Sequence, residues 1–196
     1  CYLSPKSKYK SDDMITWSKI ADTLSFRGDR SNFCAHNGKI VVVYKYNTED
    51  SRLKDSLAIS SDAITWLKRE LPFNCSPRNL ASVNGKLYYI GYNVSSEMYV
   101  SSDDGVTWDE TNLWDNDFDI YPDYCNTLVS NDSIMVAIYN EKPSNKTKIS
   151  LYKNDCWQDL GPTSAFMDEL LIRECFLFNN HLLAVDRNGT IKGLKL

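Results

Sequence analysis

The chain has 196 residues, of which 42% are hydrophobic and 12% aromatic, a composition typical of one globular, β-rich domain with a sizeable core. Its formal net charge is −4 and no cluster of Lys and Arg runs along it, so nucleic acid is not expected as a partner. No apolar run approaches the roughly 20 residues that a membrane-spanning helix needs.

The six cysteines form no C-x-x-C pair, and with only two histidines a zinc site is not expected. Their even number is compatible with up to three disulfides in an oxidising compartment, although the sequence does not select a pairing. Cys1 fits the lipid-modified cysteine of a processed bacterial lipoprotein, a disulfide partner or an arbitrary start of the chain. Five N-glycosylation triplets, which also arise by chance in a chain rich in Asn, Ser and Thr, begin at Asn74, Asn93, Asn131, Asn145 and Asn188. We therefore expect a secreted, periplasmic or cell-surface protein.

A short motif recurs along the chain and ends in Thr-Trp. Its fullest copy, residues 101–108, reads S-x-D-x-G-x-T-W. Ser and Asp side chains accept hydrogen bonds from turn amides, and Gly takes the left-handed conformation at little cost. Two copies, at 11–17 and 60–66, read S-x-D-x-I-T-W, and a degenerate copy ends at Trp157. The residues assigned to these structural turns are Asp13, Trp17, Asp62, Trp66, Ser101, Asp103, Gly105, Trp108 and Trp157.

A second pattern lies between the turns. An apolar strand, an Asn-Gly-like pair and a β-branched or aromatic strand occupy 33–44, 80–90, 127–138 and 176–185, which predicts four hairpins. A third strand leads into each later motif, and a fourth begins at its Trp. Four strands in about 45 residues, repeated, are typical of propeller blades.

The S-x-D-x-G-x-T-W motif resembles the Asp-box (BNR repeat) of bacterial sialidases and many other β-propellers. We therefore predict an all-β fold, a small propeller with four blades of four antiparallel strands. The single domain 1–196 would divide into repeats near 17–65, 66–107, 108–156 and 157–196 plus 1–16. Strands from the N- and C-termini would pair and close the ring, leaving no open sheet edge at the seam. The alternative is a fragment of a larger propeller.

Arginines recur just ahead of the predicted innermost strands. Arg30 lies seven residues before Asn37, and Arg78 and Arg173 lie six before Asn84 and Asn179. In the third repeat this place holds Tyr124 or Cys125. Three guanidiniums around one axis would suit a carboxylate. Sialidases, which the motif resembles, bind their substrate's carboxylate with such an arginine triad. The alternative is structural pairing, for example of Arg30 with Asp29 or of Arg173 with Glu174.

The loop 112–124 is acidic and aromatic. Its Trp114, Phe118, Tyr121 and Tyr124 suit stacking against a glycan or a protein, or packing on the blade edge. Asp115, Asp117 and Asp119 alternate as at the start of a calcium loop, but the glycine and terminal Glu of an EF-hand are missing. No other metal or cofactor is expected.

Two smaller signals do not require a functional explanation. Arg27-Gly28-Asp29 is an integrin-type tripeptide of a kind that is common by chance. His36 and His181 lie at non-equivalent positions of inner hairpins, and the sequence shows no Ser/His/Asp grouping around them. We expect both histidines to be structural.

The expected function is therefore binding. We predict a non-enzymatic, monomeric propeller that recognises a protein or a glycan through its loop face, and possible narrower roles are an inhibitor or an immunity-type protein. The alternative is a sialidase-like glycoside hydrolase. Against it, the chain is shorter than a six-bladed sialidase domain and lacks the F/Y-R-x-P motif. No acid/base pair can be assigned, although Tyr121, Tyr124, Glu169 and Asp29 are candidates.

Overall fold

A computed structural model gives the fold. It describes residues 2–3, 8–10, 15–16, 18–20, 32–47, 53–73, 76–92, 98–111, 125–141, 146–165, 172–178, 180–186 and 188–196. Almost all of these residues are in strands or turns, and a 3-10 turn at Thr163–Ala165 is the one helical element among them. The protein is an all-β, four-bladed propeller, as the repeats predict.

Each blade is an antiparallel sheet whose strands follow one another in chain order. Blade 1 contains β4 (Asn32–His36), β5 (Lys39–Asn47), β6 (Leu53–Ser60) and β7 (Leu67–Glu70). Blade 2 contains β8 (Ser76–Val83), β9 (Lys86–Tyr92), β10 (Met98–Ser101) and β11 (Asp109–Glu110). Blade 3 contains β12 (Cys125–Ser130), β13 (Met135–Glu141), β14 (Lys146–Lys153) and β15 (Cys156–Pro162). Blade 4 contains β16 (Ile172–Phe178), β17 (His181–Asp186) and β18 (Ile191–Lys195).

The described N-terminal strands pair with one another. The strands β1 (Tyr2–Leu3), β2 (Lys8–Lys10) and β3 (Ser18–Ile20) form a three-stranded sheet of their own. β3 pairs with β2, its immediate neighbour in the chain, and in the described part of the chain β18 pairs with β17 alone. Closure of the ring by the two ends stays a prediction, because residues 4–7, 11–14 and 21–31 lie outside the described part of the chain. Asp13 and Trp17, assigned to the first turn, lie outside the described residues.

Most of the described core lies between blades, and a smaller cluster of Val42, Tyr44 and Ala58 lies on one face of blade 1. Alternate side chains of a strand point to opposite faces of its sheet, so each blade can contribute to two apolar clusters. One cluster joins blades 1 and 2, a second joins blades 2 and 3, and a third joins blades 3 and 4. In blade 2, for example, Leu87 and Tyr89 pack towards blade 1, while Tyr88 and Ile90 pack towards blade 3.

The 101–108 turn is closed by Asp103. Its carboxylate accepts hydrogen bonds from the backbone N–H groups of Val106 (3.0 Å) and Thr107 (2.9 Å) and from the Thr107 hydroxyl (2.6 Å). Ser101 Oγ accepts a bond from Gly105 N at 2.8 Å. The indole of Trp108 donates to Gly105 O at 3.2 Å. The turn is thus a self-contained polar unit, as the sequence predicts.

The 60–66 turn repeats this geometry without the glycine. The Asp62 carboxylate accepts from the backbone N–H groups of Ile64 (2.8 Å) and Thr65 (2.7 Å) and from the Thr65 hydroxyl. Ala63 adopts a positive φ of 61°, so a non-glycine residue carries the left-handed conformation. In blade 3 the degenerate copy is a tighter turn in which Asn154 and Asp155 both have positive φ and Trp157 is buried.

Gly105 has a second role at the interface between blades 1 and 2. Its φ is +76°, and a Cβ added there would lie 2.3 Å from Leu57 Cδ2 of blade 1. Gly38 has a similar φ of +71°, but nothing lies within 4 Å of its Cβ position. A comparison of substitutions at the two glycines therefore distinguishes the strain of the left-handed backbone from the steric clash with Leu57.

We predict that Gly105→Ala destabilises the protein by roughly 2–4 kcal/mol, because it combines left-handed strain with overpacking against Leu57. Gly38→Ala should cost only about 1–2 kcal/mol, since it adds the strain alone. Urea unfolding of both variants measures the difference. Equal losses would contradict a packing role for Gly105.

The turn carboxylates also make a pH prediction. The hydroxyl and amide of Thr107 lower the pKa of Asp103 to about 2, and the Thr65 hydroxyl holds the pKa of Asp62 well below its usual range. A carboxyl whose pKa is depressed by folding stabilises the fold above its ordinary pKa of 3.8. That stabilisation is lost as pH falls towards about 2.

We therefore expect Asp103→Asn to lower the melting temperature at pH 7, and the difference from wild type to shrink as the pH falls from about 4 to 2. Thermal melts across this range provide the measurement, with the exposed Asp109→Asn as control. A difference that stays constant with pH would show that the charge of Asp103 does not matter.

Candidate functional site

The four innermost strands enclose a cavity of about 550 Å³ at the centre of the propeller. Each of β4, β8, β12 and β16 contributes to it, which brings the four repeats together at one place. Among the described residues that line it, none carries a carboxylate, an imidazole or an ammonium group. The lining consists of Asn32, Phe33, Cys34, Ala35, Asn79, Leu80, Thr127, Leu128, Val129, Ser130, Cys175, Phe176 and Leu177.

Polar ties hold the inner strands of blades 2 and 3 side by side. The buried Asn79 accepts a hydrogen bond from Leu128 N through Oδ1 at 3.1 Å. Ser130 Oγ accepts from Ser82 N at 2.7 Å. Such side-chain ties satisfy backbone donors that a neighbouring strand of the same sheet does not reach. They also fix the width of the cavity between these two blades.

The thiols at the cavity are neutral and unpaired. Burial, together with the charge of Asp132, raises the pKa of Cys34 to about 12, and burial raises the pKa of Cys175 to about 11. A thiol is a weak nucleophile unless it ionises, so neither has the character of a catalytic cysteine. Cys156 is also a free thiol. With three of the six cysteines unpaired, at most one of the up to three disulfides that the cysteine count allows can form within this chain.

Two of the three predicted arginines occupy equivalent places. Each inner strand of blades 2, 3 and 4 is interrupted by a one-residue β-bulge against its neighbour. The extra residues are Arg78, Asn126 and Arg173. Bulges re-aim a side chain and occur often beside functional sites. Arg30 lies outside the described residues, so the structure shows equivalent strand positions for Arg78 and Arg173 only.

In blade 3 the residue at the bulge is Asn126. The spacing in the sequence predicts Tyr124 or Cys125 for this place. The cause is the hairpin turn. Four residues separate β12 from β13, whereas two separate β8 from β9. A count of residues back from Asn131 therefore starts one position too early. The pairing of β12 with β13 gives the correct alignment of blade 3 with blade 2.

A Ser/His/Asp grouping does exist, although the sequence does not reveal it. His36 of β4 lies with Nδ1 2.8 Å from Ser82 Oγ and with Nε2 2.9 Å from Asp104 Oδ1. Lys39 donates to Asp104 Oδ2 at 2.5 Å. The three residues are 46 and 68 positions apart, and no local pattern links them. Only the stacking of blade 1 on blade 2 brings them together.

The geometry of this grouping makes it a tie between blades. In a catalytic triad the serine bonds Nε2 and the carboxylate bonds Nδ1, which is the reverse of what His36 does. Ser82 and His36 are each only 1% exposed, so no substrate reaches the hydroxyl. His36 is therefore structural, as predicted, but its partners are a finding of the structure.

The remaining sequence-predicted residues lie outside the described part of the chain. They are Asp29, Trp114, Phe118, Tyr121, Tyr124, Glu169 and the aspartates Asp115, Asp117 and Asp119, together with the rest of the Arg27-Gly28-Asp29 tripeptide. Within the ranges that are described, no three His, Cys, Asp or Glu side chains come together as a metal site. The same ranges contain no helix long and apolar enough to cross a membrane.

Comparison with solved structures places the fold among sialidase-type propellers. Trypanosoma rangeli sialidase in complex with 2,3-difluoro-KDN aligns with 95% of this chain at a TM-score of 0.56 and 14% identity. The same enzyme with 2,3-difluorosialic acid gives a TM-score of 0.56 and 15% identity. YCF48 bound to D1 peptide covers 90% of this chain and 54% of its own at 16% identity, with a TM-score of only 0.47.

These likenesses establish the fold alone. The chain spans 29% to 36% of the length of the sialidase chains that it matches. No family model and no curated protein matches the sequence.

We predict that Ser82→Ala destabilises the protein by about 1–3 kcal/mol, because it leaves a buried imidazole nitrogen without its partner. The exposed Ser102→Ala is the matched control and should be neutral. Chemical denaturation measures both. Treatment with a fluorophosphonate probe should leave Ser82 unlabelled, and labelling at Ser82 would contradict the structural role.

Proposed function

We propose that this protein is a non-enzymatic binding propeller whose ligand docks where the inner strands begin, at the mouth of the central cavity. The observation that carries the proposal is the pair of equivalent bulges at Arg78 and Arg173. In a four-bladed ring blades 2 and 4 lie opposite one another. The two positions therefore flank the axis from both sides.

Arginine at these positions favours an anionic ligand group. The guanidinium presents a planar set of donors that suits a carboxylate in a bidentate pair. The resemblance to sialidases leads us to include Arg30 as a third member of the set. Asn126, at the bulge of blade 3, would add a neutral amide donor. We infer that the ligand is a protein or a glycan that carries a carboxylate.

The chemistry of the cavity supports binding over hydrolysis. A glycoside hydrolase needs two acidic groups, or a tyrosine with a glutamate, at a set separation. The described lining offers amides, hydroxyls, thiols and apolar groups. Hydrolysis is the second candidate. For it, the loop residues Asp29, Tyr121, Tyr124 and Glu169 would have to supply those groups.

The remaining features of the proposal come from the sequence. The turns at 60–66 and 101–108 are proposed to be Asp-box repeats, supported by the carboxylate bonds of Asp62 and Asp103. A secreted, periplasmic or surface location accords with the N-glycosylation triplets and with the possible acylation of Cys1. Trp114, Tyr121 and Tyr124 would extend the contact surface, and Asp115, Asp117 and Asp119 would hold calcium if any ion binds.

Binding of α2,3-sialyllactose, with lactose as the neutral comparison, tests the proposal. We expect wild type to prefer the sialylated sugar, and Arg78→Ala or Arg173→Ala to weaken that binding at least tenfold without a change in melting temperature. Arg69→Ala, which removes an arginine from the outer strand β7, is the matched control. Isothermal titration calorimetry gives the affinities.

Three results would count against the proposal. Equal binding of both sugars would remove the anion site. Loss of stability in the two arginine variants would indicate structural pairing. Turnover of a fluorogenic sialoside by wild type would favour the hydrolase.

A further inference from the structure

The wall of the central cavity that blades 2, 3 and 4 supply is mainly apolar. Leu80, Leu128, Val129 and Leu177 line it. Leu80 and Leu128 belong to the clusters that join blade 2 to its two neighbours. Val129 and Leu177 pack against the cluster between blades 3 and 4. Because contacts between blades hold these side chains in place, the wall is an apolar surface that exists before any ligand binds.

Two polar side chains on this wall already make hydrogen bonds within the protein. Asn79 Oδ1 accepts from Leu128 N at 3.1 Å, and Ser130 Oγ accepts from Ser82 N at 2.7 Å. A sugar ring carries several hydroxyls, and each hydroxyl that loses its water needs a new partner on the protein. An apolar side chain has no such requirement and is stabilised when it leaves water. The wall therefore favours an apolar group over a sugar ring.

The cavity lining begins close to the two arginine positions. Asn79, the first lining residue of β8, directly follows Arg78, and Cys175, the first of β16, lies two residues after Arg173. A strand advances about 3.3 Å per residue, so the arginine positions lie about 3–7 Å along the strands from the first lining residues. Within one amino acid, the α-carboxylate and the end of the side chain are separated by a similar distance. A single terminal residue can therefore reach both places.

We propose that the ligand is the C-terminus of a peptide whose last residue is hydrophobic. Its α-carboxylate pairs with Arg78 and Arg173, and its last side chain enters the cavity. This inference rests on the proposed function and specifies which class of molecule occupies the same site. The cavity of about 550 Å³ lies within the size range of ligand pockets and accommodates a side chain as large as that of phenylalanine. Capture of a C-terminal carboxylate is a recurring mode of peptide recognition.

An acidic residue inside a peptide does not meet both requirements in the same way. Its carboxylate lies at the end of its own side chain, so the apolar group has to come from a different residue. The peptide also continues on both sides of an internal residue, and both flanking segments then have to pass the mouth of the cavity. At a C-terminus the carboxylate and the apolar side chain are attached to the same Cα, and the chain leaves in one direction only.

Isothermal titration calorimetry with three short peptides tests the proposal. The probes are N-acetyl-Gly-Gly-Ser-Phe with a free C-terminus, the same peptide with a C-terminal amide, and N-acetyl-Gly-Gly-Ser-Ser with a free C-terminus. The first should bind at least tenfold more tightly than either of the others, because each comparison peptide lacks one of the two groups that the site recognises. It should also compete with α2,3-sialyllactose, since both carboxylates use the same arginines.

A substitution inside the cavity tests where the apolar side chain lies. Thr127→Trp adds a large ring at a lining position of β12 and should weaken binding of the free Phe peptide at least tenfold. Ser102→Trp is the control, because Ser102 is exposed on the 101–108 turn, at the end of blade 2 opposite to Arg78. Thermal melts show whether both variants are folded. The comparison of the three peptides uses the wild-type protein and does not depend on either variant.

The outcomes distinguish this inference from the proposed function. Equal binding of the Phe and Ser peptides, equal binding of the acid and the amide, or full affinity in a folded Thr127→Trp variant would overturn the inference. Binding of α2,3-sialyllactose that depends on the arginines, without binding of the Phe peptide, would also overturn it and leave a glycan as the ligand of the proposed site. If Arg78→Ala and Arg173→Ala weaken binding of neither probe, the proposed function fails together with the inference.

Discussion

The stacking of sheet faces is the constraint on which the rest of this structure depends. A blade has two apolar faces, and a sheet this small cannot bury either one against itself. In blade 2, Leu87 and Tyr89 need blade 1 while Tyr88 and Ile90 need blade 3. A slip of one residue would exchange the two sets. Because each set matches a different neighbour, the register of the strand is fixed from both sides.

Adjacent aspartates link the turns to this stacking. Asp103 bonds within its own turn, through the amides and hydroxyl that follow it. Asp104, the next residue, bonds across the interface to His36 and Lys39 of blade 1. Gly105 then leaves room for Leu57 of that blade. Three successive residues thus close a turn and attach it to the preceding blade.

Local repetition made the fold predictable. The Thr-Trp turns and the Asn-Gly hairpins have their own short-range chemistry, so their positions follow from the sequence, as for Asp62 and Asp103. What could not be predicted depends on contacts between distant repeats. His36 meets Ser82 and Asp104 only after two blades stack. Asn126 is the bulged residue of blade 3 because the longer turn between β12 and β13 shifts the count.

The inner strands of the repeats keep a bulge but differ in the residue that occupies it. Among the described residues the bulge is present in three blades, but its residue changes from Arg78 to Asn126 to Arg173. Directly after Arg78, the side chain of Asn79 is buried and bonded to Leu128 N of blade 3. The backbone beside the bulge is thereby anchored to the next blade. A fixed backbone with a variable residue type would suit the ligand site that we propose, since little conformational entropy at that point would be left to lose on binding.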